Sequence, residues 1–268
     1  MPNPIHRTRA AWQLPPGVSR GTWDYLNSPS IAVDYDQYFN DHPLLKLDLE
    51  VCRKFLPPIV DTPPIVADFG CGTARVARTL APLGYHILNI DLSRHMLTEA
   101  IRSTADLHSR TSFVLGNLTQ LDWLRDNSLQ AAVCLFSSIG MIRGHQNRIR
   151  FLQHVHRSLC TDAPLILHVH NRLRSLFDPG GPAWLVRTRL NSWFTRSCEY
   201  GDRVYAYRGL PAMYLHIYSR RELVKDLESV GFRNLLILPI NSTSSQLLPT
   251  LTRWASLRAG GFFAIARR

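Results

Sequence analysis

The chain has 268 residues, of which 45% are hydrophobic and 19% are charged, and its formal net charge is +11. This length can bury one large hydrophobic core or two small ones, and the composition excludes a disordered chain. No apolar run approaches the roughly 20 residues that a helix needs to cross a bilayer, so we predict no membrane-spanning segment and no membrane partner.

The N-terminus and the cysteines together predict a cytoplasmic protein. The N-terminal stretch carries charge but no continuous apolar segment, so no secretory signal is expected. The five cysteines are scattered and form no C-x-x-C pair. Neither a disulfide framework nor a metal site is therefore predicted.

The first half of the chain predicts an N-terminal arm followed by regular strand and helix alternation. Residues 1–40 form the expected arm, irregular over 1–30, ahead of one domain at 41–268. Asp41 and Pro43 are placed to begin a helix near 42–56. Strands are then predicted at about 64–69, 85–90, 112–115, 130–136 and 165–170, with helices at about 73–83, 93–105 and 145–159.

The second half departs from that rhythm. Residues 171–217, called the insert here, alternate irregularly and are expected to lie outside the main sheet. A capping box from Ser219 to Glu222 then opens a helix that Gly231 ends. Two strands at 234–240 and 261–266 follow without a helix between them, so the pair must include an antiparallel neighbour. The pattern predicts an α/β fold with a doubly wound, mostly parallel sheet.

The stretch Ile65–Asp91 predicts a nucleoside cofactor site. An apolar strand ends in Asp68, a turn with Gly70 and Gly72 follows, and the next strand ends in Asp91. Glycines let the backbone turn sharply and approach a ligand closely, and an acid at the end of the second strand can accept ribose hydroxyls.

Two cofactor classes compete for this turn. A nicotinamide dinucleotide site prefers a small residue at the third position of G-x-G-x-x-G, where this chain has Arg75. Asp68 would repel a pyrophosphate but suits a cationic ammonium group. A glycine turn without any ligand is the plainest alternative, which the combination of Asp68, the glycine pair and Asp91 disfavours.

The D-x-G-x-G-T pattern from Asp68 to Thr73 resembles motif I of the class I S-adenosylmethionine (SAM) methyltransferases. The resemblance extends over roughly 40–170 and 217–268 and points to the small type 11 or type 12 methyltransferase domains. It implies a seven-stranded sheet with one antiparallel strand, SAM as the cofactor and methyl transfer as the reaction. The N-terminal arm and the insert match no family pattern.

The resemblance also implies a set of cofactor-binding residues at the carboxyl ends of the first four strands. Asp68 and the glycines would surround the methionine part, Asp91 would bind the ribose, and Asn117 would bind the adenine amino group. Met96 could instead be a core residue, and Asn117 could simply make a turn. The whole predicted set is Asp68, Gly70, Cys71, Gly72, Asp91, Leu92, Met96, Asn117, Leu118 and Phe136.

Methyl transfer from a sulfonium is an in-line displacement that depends first on proximity and alignment. A base is needed only where the attacking atom must lose a proton. His170, at the end of the fifth strand, and Tyr35, before the first helix, are predicted to act in catalysis. His145 and His216 are further candidates, although any of these histidines could simply be packed or solvated.

The insert bears on the methyl acceptor. Of the 31 basic residues 28 are arginine, and the insert carries seven of them among several aromatic residues. We predict that the insert forms a lid over a small-molecule acceptor. The alternatives are an RNA methyltransferase that uses these arginines to hold phosphates, a non-catalytic SAM-binding module, and a hairpin that only covers a sheet edge.

Overall fold

The computed structural model describes residues 10–195, 198–249 and 255–268, which fold around one large sheet. Its seven strands run in the order β3-β2-β1-β4-β5-β9-β8, and only β9 is antiparallel to its neighbours. This arrangement confirms the predicted seven-stranded α/β sheet. Two further strands, β6 and β7, form a separate hairpin. The strands are β1 (Ile65–Phe69), β2 (His86–Asp91), β3 (Thr111–Leu115), β4 (Ala131–Cys134), β5 (Pro164–His170), β6 (Asp202–Tyr207), β7 (Leu210–His216), β8 (Arg233–Ile240) and β9 (Gly261–Arg267).

Helices cover both faces of this sheet. They are α1 (Arg20–Leu26), α2 (Pro29–Val33), α3 (Tyr35–Phe39), α4 (Pro43–Phe55), α5 (Arg75–Leu80), α6 (Arg94–Ser103), α7 (His145–Ser158), α8 (Gly181–Phe194), α9 (Arg220–Val230) and α10 (Ala255–Arg258). Short 3-10 helices lie at Ala11–Gln13, Ala81–Leu83, Ala105–Leu107, Ser138–Met141 and Arg172–Phe177. Among the described residues, no helix is both long and apolar enough to cross a membrane.

Strand β5 shows how the sheet separates two hydrophobic cores. Its side chains alternate between the faces, as in any strand. Leu165 and Leu167 join the core beneath α7 and α9, whereas Ile166 joins the core beneath α4 and α5. All three side chains are fully buried. Burial on both faces is typical of the central strands of a doubly wound sheet.

The predicted capping box is confirmed, since Ser219 forms the full box with Glu222. Ser93 also caps α6 by accepting a hydrogen bond from the backbone of Met96. The prediction of Asp41 as the cap of α4 is wrong. His42 has the extended backbone of an N-cap, and its Nδ1 accepts a hydrogen bond from the Leu44 N–H at 3.3 Å.

The prediction of an irregular segment over residues 1–30 is also wrong for the described part. Ser19 caps α1 through a hydrogen bond from the Thr22 N–H. The helix then packs so closely on β7 that a side chain at Gly21 would overlap the Ala212 carbonyl group. The carbonyl of Leu26 also accepts a hydrogen bond from the Ser93 hydroxyl at 2.6 Å. The N-terminal helices are therefore part of the folded wall beside the sheet.

The insert lies outside the main sheet, as predicted, and it contains α8 and an antiparallel hairpin of β6 and β7. The pairing register gives this hairpin two different faces. Arg203 is opposite Leu215 and Tyr205 is opposite Met213, so these four side chains share one face. Asp202 lies on the other face, opposite His216.

The Asp202 face of the hairpin is held by a buried polar network. The Nδ1 and Nε2 atoms of His216 each lie 2.8 Å from a carboxylate, of Asp202 and Glu222 respectively. Burial alone would raise the pKa of both acids, but the hydrogen bonds from His216 hold each pKa below its usual range.

Two buried arginines extend this network and balance its charge. Arg148 from α7 pairs with Glu199, and Arg172 pairs with Glu222. The side chain of Arg148 is fully buried and lies against the Tyr218 ring. Arg148, Arg172 and His216 therefore face three carboxylates, which ties the hairpin to α7 and α9.

We expect His216→Phe to destabilise the protein strongly, because it keeps a ring but removes one hydrogen-bond partner from each of two partly buried carboxylates. Breaking a buried ion pair by removing one partner costs about 3–5 kcal/mol of unfolding free energy. Urea denaturation measures the loss, and His108→Phe, at an exposed histidine, is the control. A loss below about 1 kcal/mol, the range of exposed pairs, would contradict the anchoring role.

Candidate functional site

The candidate site is a cavity of about 340 Å³ at the carboxyl ends of the parallel strands. It lies where the chain leaves β1 in one direction for β2 and returns on the other side as β4, the usual ligand position in such sheets. All twelve residues that the sequence singled out line this cavity. They are Tyr35, Asp68, Gly70, Cys71, Gly72, Asp91, Leu92, Met96, Asn117, Leu118, Phe136 and His170.

The glycine turn is fixed by hydrogen bonds to the end of β2. The Gly70 N–H donates to the Ile90 carbonyl at 2.8 Å, and the Gly72 N–H donates to Asp91 Oδ2 at 2.9 Å. Gly70 has φ +80°, and a side chain there would meet the Ser138 hydroxyl at 2.7 Å. Gly72 has φ +54°, but a side chain there would face open space, with only Tyr35 at 4.0 Å. The Gly72 position thus leaves room for a ligand beside the backbone.

Asp91 is a buried acid with capacity to spare. Its Oδ2 binds the Gly72 N–H and its Oδ1 binds the Ser93 N–H at 2.8 Å. Burial raises the pKa of Asp91, although these N–H groups favour the ionised form and oppose the shift. Each oxygen has used one lone pair on the backbone, so each can still accept one more hydrogen bond.

Of the two acids, Asp68 has the more strongly raised pKa. Burial raises its pKa to about 7, nearby Asp91 and Asp48 add to the rise, and Arg75 opposes it. Within the described chain no arginine or lysine lies in salt-bridge contact with Asp68. A buried carboxyl group without such a partner favours a cationic ligand, which would stabilise its ionised form.

Arg75 occupies the position at which a dinucleotide site has a small residue, but its side chain does not enter the turn. Its guanidinium reaches away from the turn to α4, where it donates to Asp48 at 2.7 Å and to the Leu45 carbonyl at 2.8 Å. The Asp48 side chain is fully buried, and burial raises its pKa to about 6 despite Arg75. Arg75 therefore joins the helix after the turn to α4.

The turn is also joined to α3, a connection that the sequence analysis missed. The Thr73 hydroxyl donates to Asp36 at 2.5 Å, and Arg78 pairs with the same carboxylate at 2.8 Å. Ala74 adopts a left-handed backbone with φ +63°, so α5 begins only at Arg75 and not at 73 as predicted. The hydroxyl and acid at Thr73 and Asp36 were visible in the sequence, but nothing indicated that they meet.

The segment after β4 is strained and shapes the cavity. The strand was predicted to reach Phe136, but it ends at Cys134, because Phe136 and Ser137 adopt φ +52° and +62°. Such values are rare for residues with side chains and concentrate at functional sites. The Phe136 ring packs edge-on against Phe39 and His42, with centroids 4.9 and 5.5 Å away.

The remaining predicted contacts differ in what they leave free. Met96 and Leu118 are buried, and Met96 packs with Ile31 and Ala32 of α2. The side-chain oxygen of Asn117 accepts hydrogen bonds from the Thr119 N–H and hydroxyl, both at 3.0 Å. The side-chain amide nitrogen of Asn117 donates to the Pro16 carbonyl at 2.9 Å. Asn117 thus makes a turn, and its contact with adenine stays a prediction.

His170 and Tyr35 both line the cavity, and their pKa values are shifted in opposite directions. Burial, helped by nearby His42, lowers the pKa of His170 to about 4, so its imidazole is neutral at pH 7. Burial raises the pKa of Tyr35, which keeps its hydroxyl protonated. Tyr35 can therefore donate a hydrogen bond but is a poor base. Neither His145 nor His216 lines the cavity, since they bind Asp226 and the buried network respectively.

An aromatic cover lines part of the cavity, and sequence reasoning missed most of it. Ring contacts run from Tyr207 in the hairpin through Tyr38 and Phe39 to Phe136, with successive centroids 6.4, 4.8 and 4.9 Å apart. Tyr25 of α1 lies 6.1 Å from Tyr207. These rings are distant in sequence, so only the enrichment of aromatic residues in the arm and the insert could have pointed to them.

The residues present fit SAM as a cofactor. Asp68 is a buried carboxyl group suited to an ammonium, Asp91 has free lone pairs for two hydroxyls, and the turn at Gly72 leaves space. A dinucleotide would place its pyrophosphate at the glycine turn near Asp68, which is unfavourable.

Comparisons with known proteins agree with this geometry. Residues 66–162 match a family model described as a methyltransferase domain. No curated protein matches the sequence. A SAM-dependent methyltransferase structure from Methanosarcina mazei is 18% identical, covers 81% of this chain and 96% of its own, and has a TM-score of 0.62.

Two further solved structures share the fold. The 1,6-didemethyltoxoflavin-N1-methyltransferase of Burkholderia thailandensis is 14% identical over 92% of this chain and 86% of its own, with a TM-score of 0.57. Phosphoethanolamine N-methyltransferase 2 of Haemonchus contortus, in complex with SAM, is 12% identical over 91% of this chain and 59% of its own, with a TM-score of 0.64. Residues 66–162 thus match a methyltransferase domain family, and these structures show that the chain has the fold of SAM-dependent methyltransferases.

Proposed function

We propose that this enzyme methylates a small-molecule acceptor that is enclosed between the sheet and the hairpin of the insert. The proposal rests on the aromatic cover, because it lines the cavity with side chains from both the N-terminal helices and the hairpin. A cavity of about 340 Å³ is of the size that small ligands occupy. The hairpin reaches this cavity through Tyr205, Tyr207, Met213 and Leu215.

The cofactor roles follow from the charges and free lone pairs at the turn. We assign the ribose hydroxyls to Asp91 and the amino-acid ammonium to Asp68. Leu92, Met96 and Leu118 supply apolar contacts for the adenine. Gly70, Cys71 and Gly72 let the backbone pass close to the methionine part, and Phe136 offers its ring near the sulfonium, since aromatic faces attract cations.

When bound, SAM supplies an electrophilic methyl group on a positively charged sulfur. The task of this chain is then to align the acceptor and to exclude water. His170 is neutral at pH 7 and can accept a hydrogen bond or a proton from the acceptor. Its low basicity fits an acceptor atom whose proton is already acidic, or one with a free lone pair. Tyr35, kept protonated by burial, would position groups by donating a hydrogen bond.

An RNA acceptor has less support, because two arginines of the insert are held by hydrogen bonds within the fold. Arg172 pairs with Glu222 and donates to the Ile217 carbonyl at 3.0 Å. Arg208 donates to the Ile31 carbonyl at 3.3 Å. Arginines committed in this way do not form the open basic surface that phosphate contacts require.

The cysteines support the predicted cytoplasmic compartment. All five are free, and Cys52, Cys71 and Cys134 are buried. Buried free thiols are typical of proteins from reducing compartments.

Transfer of radioactive methyl groups from SAM into a cell extract tests the proposed acceptor class. The extract is separated into metabolites and RNA, and Asp68→Asn serves as the inactive control. We expect label in the metabolite fraction, at a rate that is insensitive to moderate salt. Label confined to RNA, with a rate that falls steeply as salt rises, would overturn the small-molecule proposal.

We expect the two glycines of the turn to respond differently to alanine. Gly72→Ala should weaken binding of S-adenosylhomocysteine with a small loss of stability, because its side chain would enter the open space. Gly70→Ala should also lower the melting temperature clearly, since its side chain meets Ser138. Calorimetry and thermal unfolding measure both quantities. Equal affinity in Gly72→Ala and the native protein would contradict the placement of the ligand.

The acid at the end of β2 gives a quantitative prediction. Asp91→Ala should weaken S-adenosylhomocysteine binding by about 1.5–3 kcal/mol, the range for hydrogen bonds to a charged group. Asp106→Ala, at an exposed acid, is the control. An unchanged affinity in a folded Asp91→Ala protein would remove Asp91 from the site.

The raised pKa of Asp68 predicts pH-dependent binding. A cationic ammonium binds the ionised carboxylate, so affinity should rise as the pH rises from 5 towards the Asp68 pKa of about 7 and then level off. The slope should reach at most about tenfold per pH unit. Calorimetry with S-adenosylhomocysteine at several pH values measures it. Asp68→Asn should flatten the rise, and an unchanged slope in that variant would contradict the assignment.

A further inference from the structure

A second cavity, of about 360 Å³, adjoins the first beneath the hairpin. The two cavities share His170, Tyr205 and Leu215 as lining residues. His170 ends β5, while Tyr205 and Leu215 belong to the inner face of the hairpin. These three side chains therefore stand at the boundary between the two spaces, and no role in the cofactor site uses the second one.

The two cavities have opposite charge. The first contains Asp68 and Asp91, neither of which has a salt-bridge partner in the described chain. The second contains Arg174 and Arg203 with one acid, Asp178. Arg174 and Asp178 are 3.8 Å apart, which is a loose ion pair. Arg203 makes no salt bridge to any described carboxylate, so the second cavity has an excess of positive charge.

Arg203 is held in place without losing its hydrogen-bonding capacity. The strand alternation that sends Asp202 into the buried network sends Arg203 and Tyr205 to the cavity face. The guanidinium group lies 5.4 Å from the Trp184 ring of α8. Stacking on an aromatic ring orients a guanidinium group and leaves its N–H donors at the edge available for an anion.

We propose that the second cavity binds an anionic group of the methyl acceptor, a carboxylate or a phosphate monoester, through Arg203 and Arg174. This inference rests on the proposed function, because it divides the acceptor between the two cavities. The anionic end lies with the arginines, and the atom that receives the methyl group passes between Tyr205 and His170 towards the cofactor. The opposite charges of the cavities prevent the acceptor from binding in reverse.

The anion subsite is tested by titrating inorganic phosphate and, separately, acetate into the protein saturated with S-adenosylhomocysteine. Calorimetry first records binding of S-adenosylhomocysteine and then binding of each anion. Arg203→Gln is compared with the native protein and with Arg187→Gln, which removes the same charge from an exposed position on α8. Circular dichroism checks that both variants are folded.

We expect saturable binding of at least one anion, weakened about tenfold or more in Arg203→Gln and unchanged in Arg187→Gln. Tighter phosphate binding assigns a phosphate monoester, and tighter acetate binding assigns a carboxylate. Absent binding, or equal losses in the two variants, overturns the subsite. Anion binding at Arg203 in a protein that does not bind S-adenosylhomocysteine would instead contradict the cofactor assignment and leave the subsite standing.

Discussion

Two buried carboxyl groups, Asp68 and Asp91, lie at the ends of the neighbouring strands β1 and β2, and no basic side chain among the described residues is in salt-bridge contact with either. Burying an acid in this way is costly, and the cost is expressed in the raised pKa of both groups. Only backbone N–H groups compensate Asp91, including that of Gly72. Because that hydrogen bond also closes the glycine turn, the shape of the turn and the charge of the cavity depend on one interaction.

The surrounding structure keeps this acidic centre in place by committing the nearby cations elsewhere. Arg75 follows the turn directly, yet its guanidinium is held by Asp48 and the Leu45 carbonyl on α4. Arg78 is held by Asp36 of α3. The bases nearest to the turn are thus prevented from neutralising Asp68 and Asp91 by direct contact. The same bonds fix α3 and α4 at the rim of the cavity, where Tyr35 and Phe39 contribute to its cover.

The hairpin reaches the site because one of its faces is anchored and the other faces the cavities. The buried polar network joins the face with Asp202 and His216 to α7 and α9. The face with Arg203 and Tyr205 is thereby held over the cavities. A hairpin that only protected a sheet edge would lie beside β3 or β8, the two outer strands, and would not line the central cavity. Specificity for the acceptor would then be set by the insert, as the lid prediction requires.

The sequence predicted the parts of the fold that depend on local pattern. The strand and helix alternation from β1 to β5 and the capping box at Ser219 are local, and both are confirmed. The short helices of the arm have too few turns to give a periodic hydrophobic pattern, although Ser19 caps α1. The ends of β4 and α5 were misplaced because Phe136 and Ala74 adopt left-handed backbones that their residue types do not predict.

The residues that line the cavity could also be predicted only in part. The twelve residues chosen from strand ends and the arm all line it, since strand order alone brings strand ends together. The cover and the second cavity could not be predicted, because they need contacts such as Arg208 with the Ile31 carbonyl, 177 positions away. No local pattern encodes such pairings.

A crystal structure of the protein with S-adenosylhomocysteine is the most direct test of whether Asp68 and Asp91 form the cofactor site. We expect the ribose hydroxyls within hydrogen-bond distance of the Asp91 carboxylate and the ammonium group beside Asp68. Ligand density elsewhere on the protein, or in this cavity with neither acid in contact, would contradict it.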